Sequence, residues 1–123
     1  MNDIKKKNVL KDKSFAFALR IVKAYQYLVK EKKEMILSKQ LLRCGTAVGA
    51  SVHEAEYAQS IPDFISKMSI ALKEANETEY WLMLLKECDF IEDEVFSSIV
   101  NDCKELLRLL ISTINTSKEK SKI

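Results

Sequence analysis

Two glycines and one proline in 123 residues constrain this chain more than any other feature. Hairpins and tight β-turns draw on these residues for positive or preset φ, so a sheet-rich fold would lack its punctuation. Long helices joined by few loops need almost none. Hydrophobic residues make up 47% of the chain, above the level of a disordered sequence, and the length suits one domain with one core. The expectation is an all-α fold.

Apolar periodicity divides the chain into four helices. The first is predicted from about Asp12 to Glu31, with Phe15, Leu19, Val22 and Val29 on one stripe and Phe17, Ile21, Ala24 and Leu28 on a second. The next is expected from near Met35 to about Gln59, carrying Leu37, Leu41, Cys44, Val48 and Val52. Ser60-Ile61-Pro62-Asp63 is the clearest punctuation: a serine cap, a proline in the first turn, and a carboxylate placed to reach back to the cap's amide. The third helix runs from there to about Glu87. After the connection Asp89 to Asp93, a fourth extends to roughly Thr116 with two apolar stripes, Ile99, Cys103, Leu106, Leu110 and Phe96, Val100, Leu107, Ile111, Ile114. Short connections make neighbours antiparallel, hence an up-down four-helix bundle. The bundle is expected over residues 12–116, between a basic flexible tail at 1–11 and a lysine-rich tail at 117–123.

Gly45 and Gly49 stand four apart on one face of the second helix. Each costs a helix about 1 kcal/mol against alanine, so the pair implies close approach of another helix, within the chain or between chains. A phosphate-gripping loop is the sharper reading, but no strand precedes the pair and no glycine triplet is present. On the third helix Glu74, Glu77 and Tyr80 follow at three-residue spacing with Trp81 beside them. Tyrosine and tryptophan favour interfaces, and buried glutamates there would need partners such as Arg20 or Arg43.

Catalytic and metal chemistry find little support. Cys44, Cys88 and Cys103 form no close pair, and His53, the one histidine, is nine residues from the nearest cysteine. Zinc sites use local ligand pairs, and di-metal bundles use Glu-x-x-His, whereas Ala50 stands three residues before His53. No glycine-rich elbow supports a nucleophile. No enzyme, cofactor or metal is expected. Free thiols, no signal peptide and no apolar stretch of bilayer length point to the cytoplasm without a membrane role.

Charge separates tails from body. Residues 1–13 hold five lysines against two aspartates, and residues 118–123 hold three lysines against Glu119, leaving the body at −3. A nucleic-acid binder normally carries its basic excess on the folded surface, so the bland reading is solvated ends that aid solubility; in the sharper one Lys5, Lys6, Lys7, Lys11 and Lys13, with Arg20 and Arg43, are the candidate contacts to RNA or DNA phosphate.

The string Gln40-Leu41-Leu42-Arg43-Cys44-Gly45-Thr46-Ala47-Val48-Gly49-Ala50-Ser51-Val52, followed by Glu54-Ala55, resembles the second-helix motif of a bacterial four-helix-bundle family. Its members include proteins encoded by intervening sequences in large-subunit ribosomal RNA genes, and the accessory protein of diversity-generating retroelements is a relative. Asp63-Phe64-Ile65-Ser66-Lys67 and Ile70-Ala71-Leu72-Lys73-Glu74-Ala75-Asn76-Glu77-Thr78-Glu79-Tyr80-Trp81-Leu82 are similar to its third-helix motif. Cys44 stands where serine or alanine is common, and Ser51 where asparagine is common. The resemblance implies a homopentamer, with Gly45, Gly49, Glu74, Glu77, Tyr80 and Trp81 as the expected interface. Two functions follow as expectations. One is a non-enzymatic scaffold engaging a protein partner; the other is a nucleic-acid-binding accessory whose basic tails are multiplied by assembly.

Overall fold

The computed structural model describes residues 2–122, with side chains described from residue 9 onward. It contains four helices: α1 Asn2–Lys30, α2 Leu37–Ala55, α3 Ile61–Glu87 and α4 Asp93–Ser121. No strand occurs among the described residues. Each helix packs on two others, α1 on α2 and α4, and α3 on α2 and α4, so the four close into a ring around one core. Cross-helix pairs fix the directions. Ile21 meets Gly45 and Ser14 meets Gly49, so α1 and α2 run antiparallel. Cys103 donates to the Ala75 carbonyl at 3.2 Å while Lys86 lies over the Phe96 ring, so α3 and α4 do too. Arg20 pairs with Asp102 and Lys13 with Glu105, which sets α4 antiparallel to α1. The up-down bundle expected from the short connections is the observed architecture.

The core of α1 is Leu10, Ser14, Phe17, Ile21 and Leu28. Only one of the two expected stripes turns inward. Phe15 and Leu19 are 66% and 52% exposed. Leu10 is fully buried, although it lies within the segment expected to be a tail, and the helix backbone continues back to Asn2. The periodicity was obscured there by Lys11 and Lys13 just after it, which stand on solvent faces of the same turn. Similarly, α4 runs to Ser121 rather than Thr116, and Ser117 is buried. Hydroxyl side chains can line this last stretch because they satisfy themselves locally. Thr113 donates to the Leu109 carbonyl at 2.8 Å and Thr116 to that of Ser112 at 2.9 Å.

Helix ends account for the remaining differences. α2 begins at Leu37, two residues later than expected, because Glu34 caps it. Its carboxylate accepts the amides of Ile36, Leu37 and Ser38 at 3.1, 3.0 and 2.7 Å. Burial raises the Glu34 pKa, but these amides and the Ser38 hydroxyl outweigh it, so the net shift is downward. α2 stops at Ala55, and a tight turn joins it to α3. There Ser60 Oγ accepts the Asp63 amide at 3.1 Å, as the motif predicted, while Asp63 reaches back one residue beyond the cap to the Gln59 amide. α3 ends in a reciprocal pair, Phe90 N–H to the Leu85 carbonyl and Asp89 N–H to that of Lys86, with Asp89 at φ 64°.

Candidate interaction surfaces

Glu74 and Glu77 lie one turn apart on the side of α3 that faces α2, and Arg43 of α2 stands between them. Arg43 Nη1 donates to Glu74 Oε2 at 3.2 Å and its Nη2 to Glu77 Oε2. The Trp81 indole N–H, one turn further, donates to the same Glu77 oxygen at 3.0 Å. Tyr80 packs edge-on against Trp81 at 5.1 Å and is otherwise exposed. The Glu74 side chain is only 14% exposed, against 52% for Arg43, so the guanidinium covers an acid that would otherwise be costly to bury. Of the two arginines considered as partners, Arg43 fills the role. Arg20 is engaged on the opposite side of the bundle with Asp102 and Ser98, at 2.8 and 2.7 Å.

The glycine pair serves a contact within the chain. A Cβ at Gly45 would fall 2.8 Å from both Ile21 γ-carbons, and one at Gly49 would fall 3.1 Å from the Ser14 carbonyl oxygen. Gly45 is buried beneath α1. The close approach read from the sequence is therefore the α1–α2 packing of one chain, and Gly45 has no surface to give a second. Missing from the expected interface is the outer strip of α1. Phe15 and Leu19 are exposed and Val22 half-buried, at the spacing of one helix face. Phe15 also borders a shallow cleft of ≈ 210 Å³ with Lys11, Asp12, Ser14, Gly49 and His53. The signal for this strip was present as the surplus apolar stripe of the first helix.

The candidate phosphate contacts divide in two. Lys11 is paired with Glu56 at 3.1 Å, Lys13 with Glu105 at 3.2 Å, Arg20 with Asp102, and Arg43 with both glutamates. A cation already neutralised by a carboxylate releases little from a phosphate's counterion cloud. The side chains of Lys5, Lys6 and Lys7 lie outside the described residues, though their backbone belongs to α1.

No three His, Cys, Asp or Glu side chains cluster as a metal site among the described residues. Burial pushes the Cys103 thiol up to about 12, and burial also raises that of Cys44. Neither is a thiolate at neutral pH, and thiolate is the reactive form. Cys88 is exposed at the end of α3. His53 rests edge-on against Tyr57 at 5.9 Å. No described helix is long and apolar enough to cross a membrane.

Residues 6–112 match the model of a family described as 23S rRNA-intervening sequence protein. The match begins within the segment first set apart as a tail. Among solved structures, one is a protein of unknown function from the S23 ribosomal protein family of Bacteroides thetaiotaomicron VPI-5482. It is 58% identical and superposes with a TM-score of 0.89, over 89% of this chain and 98% of that one. No curated protein matches the chain.

Proposed function

From the premise that the chain belongs to the 23S rRNA-intervening sequence protein family, we propose that it is a non-enzymatic scaffold whose bundles assemble into a homopentamer and present a surface to a protein partner in the cytoplasm. The observation that carries this reading is the outer strip of α1. Phe15 and Leu19, one turn apart, stand in solvent on the helix that buries Phe17 and Ile21 on its other face. Large exposed apolar patches mark interaction sites, and this strip is the one proposed here. Transfer of each large side chain from water would contribute about 1.5–3 kcal/mol to such a contact. Tyr80, with Trp81 and the Arg43–Glu74–Glu77 cluster behind it, offers a second surface on the opposite helix pair, as a ring with two unlike faces requires. The number five comes from the resemblance. Free Cys44, Cys88 and Cys103 support a reducing compartment.

Light scattering tests the proposal. With a chain mass of 14.1 kDa, a pentamer scatters as five chains. Phe15→Glu with Leu19→Glu should reduce it to one while leaving helical content intact, because neither residue is in the core. A wild-type monomer at working concentration would overturn the reading.

A further inference from the structure

The outer faces of α1 and α3 carry opposite orders of charge around an apolar middle. Along α1 come Asp12, Phe15, Leu19 and Lys23; along α3 come Lys73, Tyr80, Met83 and Glu87. At about 100° per residue, each set falls within about a quarter-turn of its helix, away from the core. Phe15, Leu19, Tyr80 and Met83 are each more than half exposed, and the four charged residues are exposed with them. The neighbouring cations Lys13 and Arg20 are engaged by carboxylates of α4. Asp12, Lys23 and Lys73 have no ion-pair partner among the described residues, and Glu87 has only Lys86 at 3.7 Å.

No contact within the chain can cover these faces. α1 and α3 each pack on α2 and α4 and stand across the diagonal of the ring, so their outer sides point away from each other. Both run antiparallel to α2: Ile21 beside Gly45 and Ser14 beside Gly49 fix α1, while Glu74 with Arg43 and Lys67 with Glu54 fix α3. α1 and α3 are therefore parallel. When α1 is laid along α3 of a second copy in parallel, with Phe15 and Leu19 against Tyr80 and Met83, Asp12 meets Lys73 and Lys23 meets Glu87. The spans, about 16 Å from Asp12 to Lys23 and about 21 Å from Lys73 to Glu87, differ by about one helical turn, which the lysine side chains bridge. Antiparallel docking sets Asp12 on Glu87 and Lys23 on Lys73, and like charges brought together disfavour a contact. Charge thus selects the parallel docking. A rotation about an axis along the bundle generates it, because parallel helices stay parallel under that rotation. A two-fold contact of α1 with itself would also match Asp12 to Lys23, but it would leave Tyr80 and Met83 in water. The α1–α3 contact covers both strips with one kind of joint.

We propose that a second copy of this chain covers the α1 strip with the outer face of its α3, the helices parallel, Asp12 of one chain paired to Lys73 of the next and Lys23 to Glu87. The contact is heterologous and repeats around a ring where the rotation closes. It rests on the assembly reading above and adds to it which face meets which, and in what direction.

Light scattering over a dilution series of the full chain, at about 50 mM salt, tests it. Lys23→Glu and Glu87→Lys should each raise the concentration at which the assembly dissociates, roughly fivefold or more, and the two together should restore it. Asp12→Lys and Lys73→Glu should behave likewise. Higher salt should shrink these differences. In a Cys88→Ser background, Leu19→Cys protein mixed with Tyr80→Cys protein should be joined by a short bifunctional maleimide. Neither should join to itself, since Cys44 and Cys103 are buried. A wild-type monomer would overturn this contact and the assembly reading together. Assembly indifferent to the reversals, or reversals not restored in combination, would overturn this contact alone. Restoration of Lys23→Glu by Asp12→Lys would do the same, and would assign the strip to a two-fold contact of α1 with itself.

Discussion

Gly45→Ala separates close packing from helix propensity, because the two predict opposite signs. An alanine in the middle of a helix stabilises it by about 1 kcal/mol relative to glycine. At Gly45 the new methyl would sit 2.8 Å from Ile21 Cγ1 and Cγ2 and 3.2 Å from its Cβ. Ordinary carbon contacts lie at about 3.5–4.0 Å, so the shortfall approaches an ångström at two atoms together. Ile21 is fully buried, and β-branching leaves it one strongly preferred rotamer in a helix, so it cannot swing aside. Relief requires α1 to lift from α2, loosening the seam from Leu10 to Leu28. Overpacking of this kind costs about 1–3 kcal/mol. With an unyielding partner the upper part of that range applies, and subtracting the propensity gain leaves a net loss of about 1–2 kcal/mol. Urea unfolding followed by circular dichroism, at fixed protein concentration, reads this directly. Ala50→Gly, at an exposed position of the same helix, calibrates propensity. In an Ile21→Ala background both γ-carbons are gone and only the Cβ, at 3.2 Å, remains, so the loss caused by Gly45→Ala should shrink sharply there. Stabilisation of the wild-type background by Gly45→Ala would refute the packing argument.

Other outcomes follow from single sites. Glu34→Gln should lower stability at neutral pH by weakening the α2 cap. Because the native Glu34 pKa lies below its ordinary value of 4.5, the wild-type advantage is full above that value. It is lost as pH falls through the native value, so the two denaturation midpoints should converge in acid. Asp89→Gly should raise the midpoint, by about 0.5–1 kcal/mol, since Asp89 holds φ 64° at the α3 terminus where glycine pays no Cβ penalty. Arg43→Ala should cost about 1–2 kcal/mol by leaving the largely buried Glu74 unpaired, and it should change Trp81 fluorescence through the freed Glu77. A thiol reagent should modify Cys88 quickly, and Cys44 and Cys103 only on unfolding; mass spectrometry of the labelled native protein shows which sites react.

The sequence was most readable where one local rule acts alone. Ser60, Pro62 and Asp63 located the start of α3 because capping is settled within four residues. The α2 start was misplaced because its cap is Glu34, outside the helix, with a side chain long enough to reach three amides. Both α1 stripes have the right spacing, and spacing cannot say which one faces a partner helix of the same chain. Phe15 and Leu19 are exposed because the glycine-closed contact rotates Ser14 and Ile21 toward α2. Arg43 was legible as a partner for Glu74 and Glu77, but its position midway between them depends on the register of α2 against α3, which no local pattern encodes.

Three of the four seams in the bundle join consecutive helices across short turns. The fourth, α1 to α4, joins Arg20 to Asp102 and Lys13 to Glu105 across most of the chain, by partly exposed ion pairs. Its closure carries the largest entropy cost and follows the pairing of neighbours, so folding runs from hairpins to ring. The same seam sets the first helix beside the last. A chain re-spliced there and reopened in the turn between α2 and α3 would keep every helix and every core contact. The order in which the helices are strung is thus a matter of folding route, and the ring they close is indifferent to where the chain begins.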